Sequence, residues 1–245
     1  MKLADYLLEI QAFIQDYLKK SHQKGYVLGI SGGIDSALVA ALTTKAVGRD
    51  KLFALLMPID SEKCDVEYGL ELCHKFAIPY SVVDLSEPYH QLIAKFDLED
   101  SSAKAIALNN TKVRLRMVTL YAYAQARNAL VLGTDNADEI HVGYFTKYGD
   151  GAADLVPISR LTKREVYQAS QMLGVPDSII KRVPTAGLFS GQTDEGELGV
   201  TYEQLDRYLL GKEVPPHVAK RIAFLHRISE HKRKKIPRPK KFVRE

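Results

Sequence analysis

A short apolar run, Tyr26-Val27-Leu28-Gly29-Ile30, passes without a spacer into Ser31-Gly32-Gly33-Ile34-Asp35-Ser36, and that string opens a segment rich in alanine and leucine. No other stretch restricts the architecture as much. Five apolar residues bounded by a turn read as a buried strand, and residues 35–47 read as a helix. The paired glycines let the backbone turn tightly and approach a ligand. Free N–H groups at the helix start, together with the serine hydroxyls, can hold an anion. Asp35 would repel a phosphate there unless a cation lay between them, which points to a Mg²⁺–pyrophosphate pair. The string is not a Walker A loop, because no Gly-Lys-Ser/Thr follows, and not the dinucleotide fingerprint, because its glycines are adjacent. A bare Gly-Gly pair is satisfied by an ordinary strand-to-helix turn; the whole strand–SGGxDS–helix string is much harder to account for in that way.

The remaining chain repeats the alternation. Leu3, Leu7, Ile10, Ile14 and Leu18 recur at helical spacing. Strands are expected at 52–57, 80–85 and 129–132, the last ending in Gly133-Thr134. Helices are expected at 62–76, 109–128 (carrying Arg114, Arg116 and Arg127), 162–173, 201–210 and 216–228. The 162–173 helix starts with Thr162 and Glu165, a capping-box pair. Apolar strands alternating with helices predict an α/β fold, a parallel sheet flanked by helices on both faces. The length suits one domain over 1–245. Two loops are long and glycine-bearing, 143–154 and 186–200. The second carries Gly187, Gly191, Gly196 and Gly199 and reads as a candidate lid.

Composition removes several classes of function. With 46% hydrophobic and 26% charged residues, the chain is neither disordered nor collagen-like. It contains no apolar run of about 18 residues, so no membrane partner is expected. Residues 226–245 hold nine Lys/Arg against two Asp/Glu, more than the whole-chain excess of +4. The basic character is a C-terminal tail, not a nucleic-acid-binding surface. Cys64 and Cys73 lie nine apart on one expected surface helix, on opposite faces, and cannot bridge. Unpaired cysteines and an N-terminus with Asp5, Glu9 and Asp16 in place of a signal peptide predict a reducing, cytoplasmic location. The seven histidines are scattered without zinc-ligand spacing.

The Ser31–Ser36 string resembles the pyrophosphate loop of the N-type ATP pyrophosphatases, which activate a poor electrophile as an adenylate. Downstream blocks narrow the resemblance. Gly133-Thr134-Asp135-Asn136-Ala137-Asp138-Glu139, Gly143-Tyr144-Phe145-Thr146-Lys147-Tyr148-Gly149-Asp150-Gly151-Ala152-Ala153-Asp154 and Leu161-Thr162-Lys163-Arg164 are similar to those of ammonia-dependent NAD synthetases. So are Asn110-Thr111-Lys112-Val113-Arg114-Leu115-Arg116-Met117 and Pro184-Thr185-Ala186. The resemblance runs from about Gly29 to His231. It implies a Rossmann-like fold of the adenine-nucleotide alpha-hydrolase type. It also implies amidation of deamido-NAD with ammonia, giving NAD, AMP and pyrophosphate.

The same resemblance implies residue roles. ATP, the co-substrate, would lie on Gly29, Ile30, Ser31, Gly32, Gly33, Ile34, Asp35 and Ser36, with Thr134, Lys163 and Thr185. Mg²⁺ would be held by Asp35 and Glu139. Deamido-NAD would meet Arg114, Lys147, Asp154, His231 and Lys232. Asp150 would position or deprotonate ammonia, beside Asp35 and Ser31. Tyr144 stands where many relatives have Phe; its ring could stack on the pyridine, but its hydroxyl needs a partner if buried. The resemblance further implies a homodimer with the dinucleotide at the interface; the apolar stripe of residues 3–18 and the 109–128 helix could supply that interface or could equally be core. With only Cys64 and Cys73 available there is no glutaminase, so ammonia would arrive free or from a separate subunit. Two alternatives stand beside this. One is a tRNA-modifying pyrophosphatase whose tail binds RNA phosphates, which leaves 145–154 unexplained; the other is a nucleotide- or RNA-binding module without turnover.

Overall fold

The computed structural model describes residues 1–184 and 193–242. In chain order the elements are α1 (Leu3–Ser21), β1 (Gly25–Gly29), α2 (Ile34–Val47), β2 (Leu52–Leu56), α3 (Lys63–Lys75), β3 (Tyr80–Val82), α4 (Ser86–Ile93) and α5 (Ser102–Arg127). There follow β4 (Ala129–Leu132), α6 (Ala137–Val142), α7 (Lys163–Leu173), α8 (Asp177–Ile180), α9 (Asp194–Leu198), α10 (Tyr202–Leu209), α11 (Pro216–Ile228) and α12 (Glu230–Arg233).

The sheet is parallel, in the order β3-β2-β1-β4. Strand β1 is central because it is apolar throughout: Tyr26, Val27 and Leu28 are fully buried between the two helical layers. One face packs on α1, α2, α3 and α7 through Ile14, Leu28, Leu38, Leu42 and Val166. The other packs on α4 and α5 through Val27, Leu55, Tyr89 and Ala124. Helix α2 buries ten of its fourteen residues, which explains why it is apolar all round. A third apolar cluster, centred on Leu205 and Ile222, joins α6, α9, α10 and α11 away from the sheet.

This topology places the site. After β1 the chain leaves toward β2 on one side, while β4 lies on the other, so a crevice opens beyond the carboxyl ends of β1 and β4. The Ser31–Ser36 loop and residues 133–139 both emerge there.

The expected strand at 129–132 and helix at 216–228 have the observed bounds. The stripe Leu7, Ile10, Ile14 and Leu18 is buried against the sheet, so it serves the core. Three expectations need correction. Helix α5 begins at Ser102 rather than 109, since Ala103, Lys104, Ala105 and Ala107 are good helix formers and Asn109-Asn110 lie inside it, not at its cap. Strand β3 ends at Val82 instead of 85, where the chain turns into α4. Cys73 is not on a surface: it is buried, and burial pushes its thiol up to about 12. Both cysteines are free.

Candidate active site

The Ser31–Ser36 loop is folded by its own serines. Ser31 Oγ and Ser36 Oγ lie 3.2 Å apart, Gly33 N–H donates to Ser31 Oγ (3.2 Å), and Ser36 Oγ donates to the Gly33 carbonyl (3.0 Å). Helix α2 has no side-chain cap, so the amides at its start face outward, available to an anion. Gly32 has φ +77°, and a Cβ there would lie 2.6 Å from the Asp65 carbonyl oxygen; only glycine fits.

Asp35 opens α2 and is held from two sides. Asn136 Nδ2 donates to its Oδ1 (2.9 Å), and Lys163 Nζ donates to its Oδ2 (2.6 Å). The same ammonium lies 3.3 Å from Glu139 Oε1. Asn136 also caps α6 by accepting the N–H groups of Asp138 and Glu139, completing a capping box. One asparagine thereby ties the loop after β4 to the loop after β1. Lys163 is buried at the start of α7. Burial alone would lower its pKa, but Asp35 and Glu139 outweigh it and hold it above the usual lysine range. Desolvation, then repulsion by Asp35, raise Glu139 to about 7.

Among the described residues, no group of three or more His, Cys, Asp or Glu gathers as a metal site. Asp35 and Glu139 nevertheless converge on one positive centre. Two carboxylates suit Mg²⁺, which binds through one or two such groups and completes its shell with water and substrate phosphates. A cation there would relieve the repulsion that raises Glu139.

Around this corner lies a cleft of about 460 Å³. It is lined by the Ser31–Ser36 loop, Thr134, Glu139, Asp150, Lys163 and Lys232, so one cavity joins residues from five places in the chain. Asp150 Oδ1 accepts the N–H groups of Thr146 (2.6 Å) and Gly151 (3.0 Å). Its carboxyl is open to the solvent of the cleft yet surrounded by protein, and desolvation raises its pKa despite those amide donors. Arg116 reaches from α5 to the Met57 carbonyl (2.9 Å) and lines the same cleft. The Tyr144 hydroxyl finds partners in Glu197 Oε2 (2.6 Å) and Asp194 Oδ1 (3.2 Å). Tyr202 links Asp194 (2.8 Å) to Glu139 (3.4 Å), so helix α9 is tied to the carboxylate corner.

Four of the residues expected at the dinucleotide meet at one rim. Arg114 Nη2 donates to the Lys147 carbonyl (3.3 Å), and Lys147 Nζ to the His231 carbonyl (2.8 Å). Lys232 Nζ donates to the carbonyls of Gly143 (2.8 Å) and Phe145 (2.7 Å). Gly143 has φ +72°, and a Cβ there would lie 2.2 Å from Ser229 Cβ, so only glycine lets the start of α12 come this close. His231 itself is exposed. Asp154 is separate from this group: its Oδ2 accepts Val131 N–H (2.8 Å) and secures the chain beside β4. Thr185 and residues 186–192 of the expected lid lie outside the described residues; residues 194–198 form α9.

A family model described as NAD synthase matches residues 6–236. The chain belongs to the NAD synthase family. An NH(3)-dependent NAD(+) synthetase of Mesoplasma florum is 49% identical over 246 residues, covering 100% of both chains. An NMN synthetase structure from Francisella tularensis superposes with TM-score 0.93 at 38% identity, covering 98% of this chain and 99% of that one. An NH3-dependent NAD synthetase from Campylobacter jejuni superposes with TM-score 0.81 at 32% identity, covering 98% and 100%. Membership accounts for the parallel sheet flanked by helices.

Sequence reasoning passed over Asn136, Arg116, Asp194, Tyr202 and the pair Asp65–Arg182. Asn136 had a local signal, the Asn-Ala-Asp-Glu capping pattern. Arg116 lay in the Asn110–Met117 block that carries the resemblance but was given no role; Asp65, Arg182, Asp194 and Tyr202 come from distant segments and had no local signal.

Proposed function

We propose that the protein amidates deamido-NAD with ammonia, at the expense of ATP, giving NAD, AMP and pyrophosphate. The observation that carries this is the joining of Asp35, Glu139 and Lys163 at the phosphate loop, in one cleft with Asp150 and Lys232. The wider setting is a homodimer in the cytoplasm, with Mg²⁺ as the metal.

A carboxylate resists nucleophiles because of its charge, and oxide is a poor leaving group. The nicotinate carboxylate oxygen attacks the α-phosphorus of ATP, and pyrophosphate leaves with the electrons of the broken P–O bond. Amides of the Gly32–Ser36 turn and the Lys163 ammonium face the charge that gathers on the leaving group. Mg²⁺ held by Asp35 and Glu139 would add a divalent counter-charge at those phosphates. Ammonia then attacks the activated carbonyl, AMP departs, and the surplus proton on nitrogen passes to Asp150. Asp150 is fixed by the Thr146 and Gly151 amides, and desolvation holds it above the ordinary carboxylate range, which makes it a stronger base than a solvated carboxylate. Arg114, Lys147, His231 and Lys232 would hold the dinucleotide at the rim. Asp154 would orient the loop carrying Lys147 and Asp150.

A second reading has one observation behind it, the superposition on the NMN synthetase. It keeps the chemistry and replaces the dinucleotide by nicotinate mononucleotide. The test for both is one assay with Mg²⁺-ATP and ammonium, offering each acid alone and then both together. A kcat/KM at least tenfold higher for deamido-NAD supports the first reading; preference for the mononucleotide supports the second; turnover of neither rejects both. Replacing ammonium by glutamine should abolish product.

A further inference from the structure

Arg182 stands outside the roles above, and its surroundings are specific. It follows α8, and its Nη2 donates to Asp65 Oδ1 in the first turn of α3. Its guanidinium carbon lies 5.5 Å from the centre of the Tyr68 ring. Its other terminal nitrogen, Nη1, lies 3.1 Å from the position a Cβ would occupy on Gly32. The guanidinium is thus clamped by α3 on one side and presses on the phosphate loop with the other. It also lines the cleft and keeps 18% of its side-chain surface open.

The charge balance of the cleft gives this placement a purpose. Asp35, Glu139, Asp135, Asp150 and Asp194 all line it. Lys163 is already shared between two of these carboxylates. A polyphosphate entering such a cavity needs a cation on the flank of the loop away from Lys163. A planar guanidinium with one nitrogen anchored is pre-oriented, so little rotamer freedom is lost when the other nitrogen meets a phosphate. If the Asp65–Arg182 pair were only a strut, an apolar contact would serve as well, since ion pairs withdrawn from water are inefficient stabilisers.

We infer that Arg182, aimed by Asp65, is a further catalytic residue that binds the β- and γ-phosphates of ATP and the pyrophosphate that leaves. This rests on the phosphate-loop assignment under the proposed function, and it adds a contact on the opposite flank from Lys163. Asp65 is a positioning residue.

The test is calorimetric binding of inorganic pyrophosphate with Mg²⁺, and separately of AMP, to the full chain. Wild type should bind both. R182Q should bind pyrophosphate at least about tenfold more weakly, the scale of one charge-assisted hydrogen bond, with AMP within about twofold. R182K should fall between them. In turnover R182Q should lose kcat while keeping its KM for the acid substrate. The double variant D65N/R182Q leaves no unpaired carboxylate and so guards against misfolding. A strut predicts that it regains wild-type pyrophosphate affinity; a phosphate ligand predicts that it stays weak. Wild-type pyrophosphate affinity in R182Q or in the double variant overturns the inference alone. A wild-type protein that binds no pyrophosphate overturns the phosphate-loop reading as well.

Discussion

The two halves of the cleft are built differently. The phosphate corner grows out of the sheet: Asp35 starts a helix that is almost wholly buried, Lys163 is 3% exposed, and Asn136 is fully buried while bonding to both loops. The rim is made of lysine ammoniums on backbone carbonyls, with His231 exposed and α12 only four residues long. A buried corner whose carboxylates and ammonium are paired resists deformation, as the proposed phosphate site requires. A rim held by a few side-chain bonds to backbone carbonyls, those of Arg114 and Lys147 exposed, opens at lower cost, as the proposed entry of a large substrate requires. Chemistry should therefore be sensitive to the corner, and substrate affinity to the rim.

The largest break would come from Asp35→Asn. It removes one of the two carboxylate charges facing Lys163 and weakens the proposed metal site, and amidation should fall by about 10³-fold or more with the fold retained. Turnover within tenfold of wild type would remove the corner from the chemistry. Next, D150N should lower kcat by about 10²-fold, the range of one general base. Its KM for ATP and the acid should hold, and steady-state kinetics at saturating ammonium separates the two. At the rim, Lys232→Ala should do the reverse, raising KM for the acid by about tenfold while kcat changes little. A kcat loss as large as that of D150N would erase the distinction between the halves.

A fourth effect concerns stability. Burial, then repulsion by Asp206, raise Asp138 to about 8. The two carboxyls face each other across a hydrogen bond that needs a proton on one of them, while their Oδ2 atoms accept the N–H groups of Lys163 and Arg164. The fold keeps a proton on Asp138 that the unfolded chain releases above roughly pH 4. Stability from this group is full below that pH and is lost as pH rises to 8. Thermal denaturation of the ligand-free protein should therefore show Tm declining between pH 5 and 8, and D138N should flatten the decline. The smallest effect is expected from deleting residues 238–245, which should change kcat/KM by less than about twofold. Arg238, Lys240 and Lys241 are exposed, and no residue of the segment has a catalytic assignment.

The same contrast explains what could be read from the sequence. The Ser31–Ser36 turn was legible because strand, glycine turn and helix are contiguous, and the start of α7 because Thr162 and Glu165 form a local capping pattern, whereas Glu139 and Lys163 were reached only by resemblance. Helix α5 was started too late because its first turns, 102–107, are mostly exposed and carry no apolar stripe, so only the propensity of Ala103, Lys104, Ala105 and Ala107 marks them. The rim was reached only by resemblance, since Lys147 meets His231 across 84 residues and Lys232 meets Phe145 across 87. Arg182 and Asp65 are 117 apart and belong to no local pattern. Side chains that act through the third dimension leave no spacing to find.

The most direct test is the stoichiometry of the nucleotide products. With Mg²⁺-ATP, ammonium and deamido-NAD, the account predicts one AMP and one pyrophosphate for each amide formed, because the bond broken lies between the α- and β-phosphates. Appearance of ADP and inorganic phosphate in their place would contradict it.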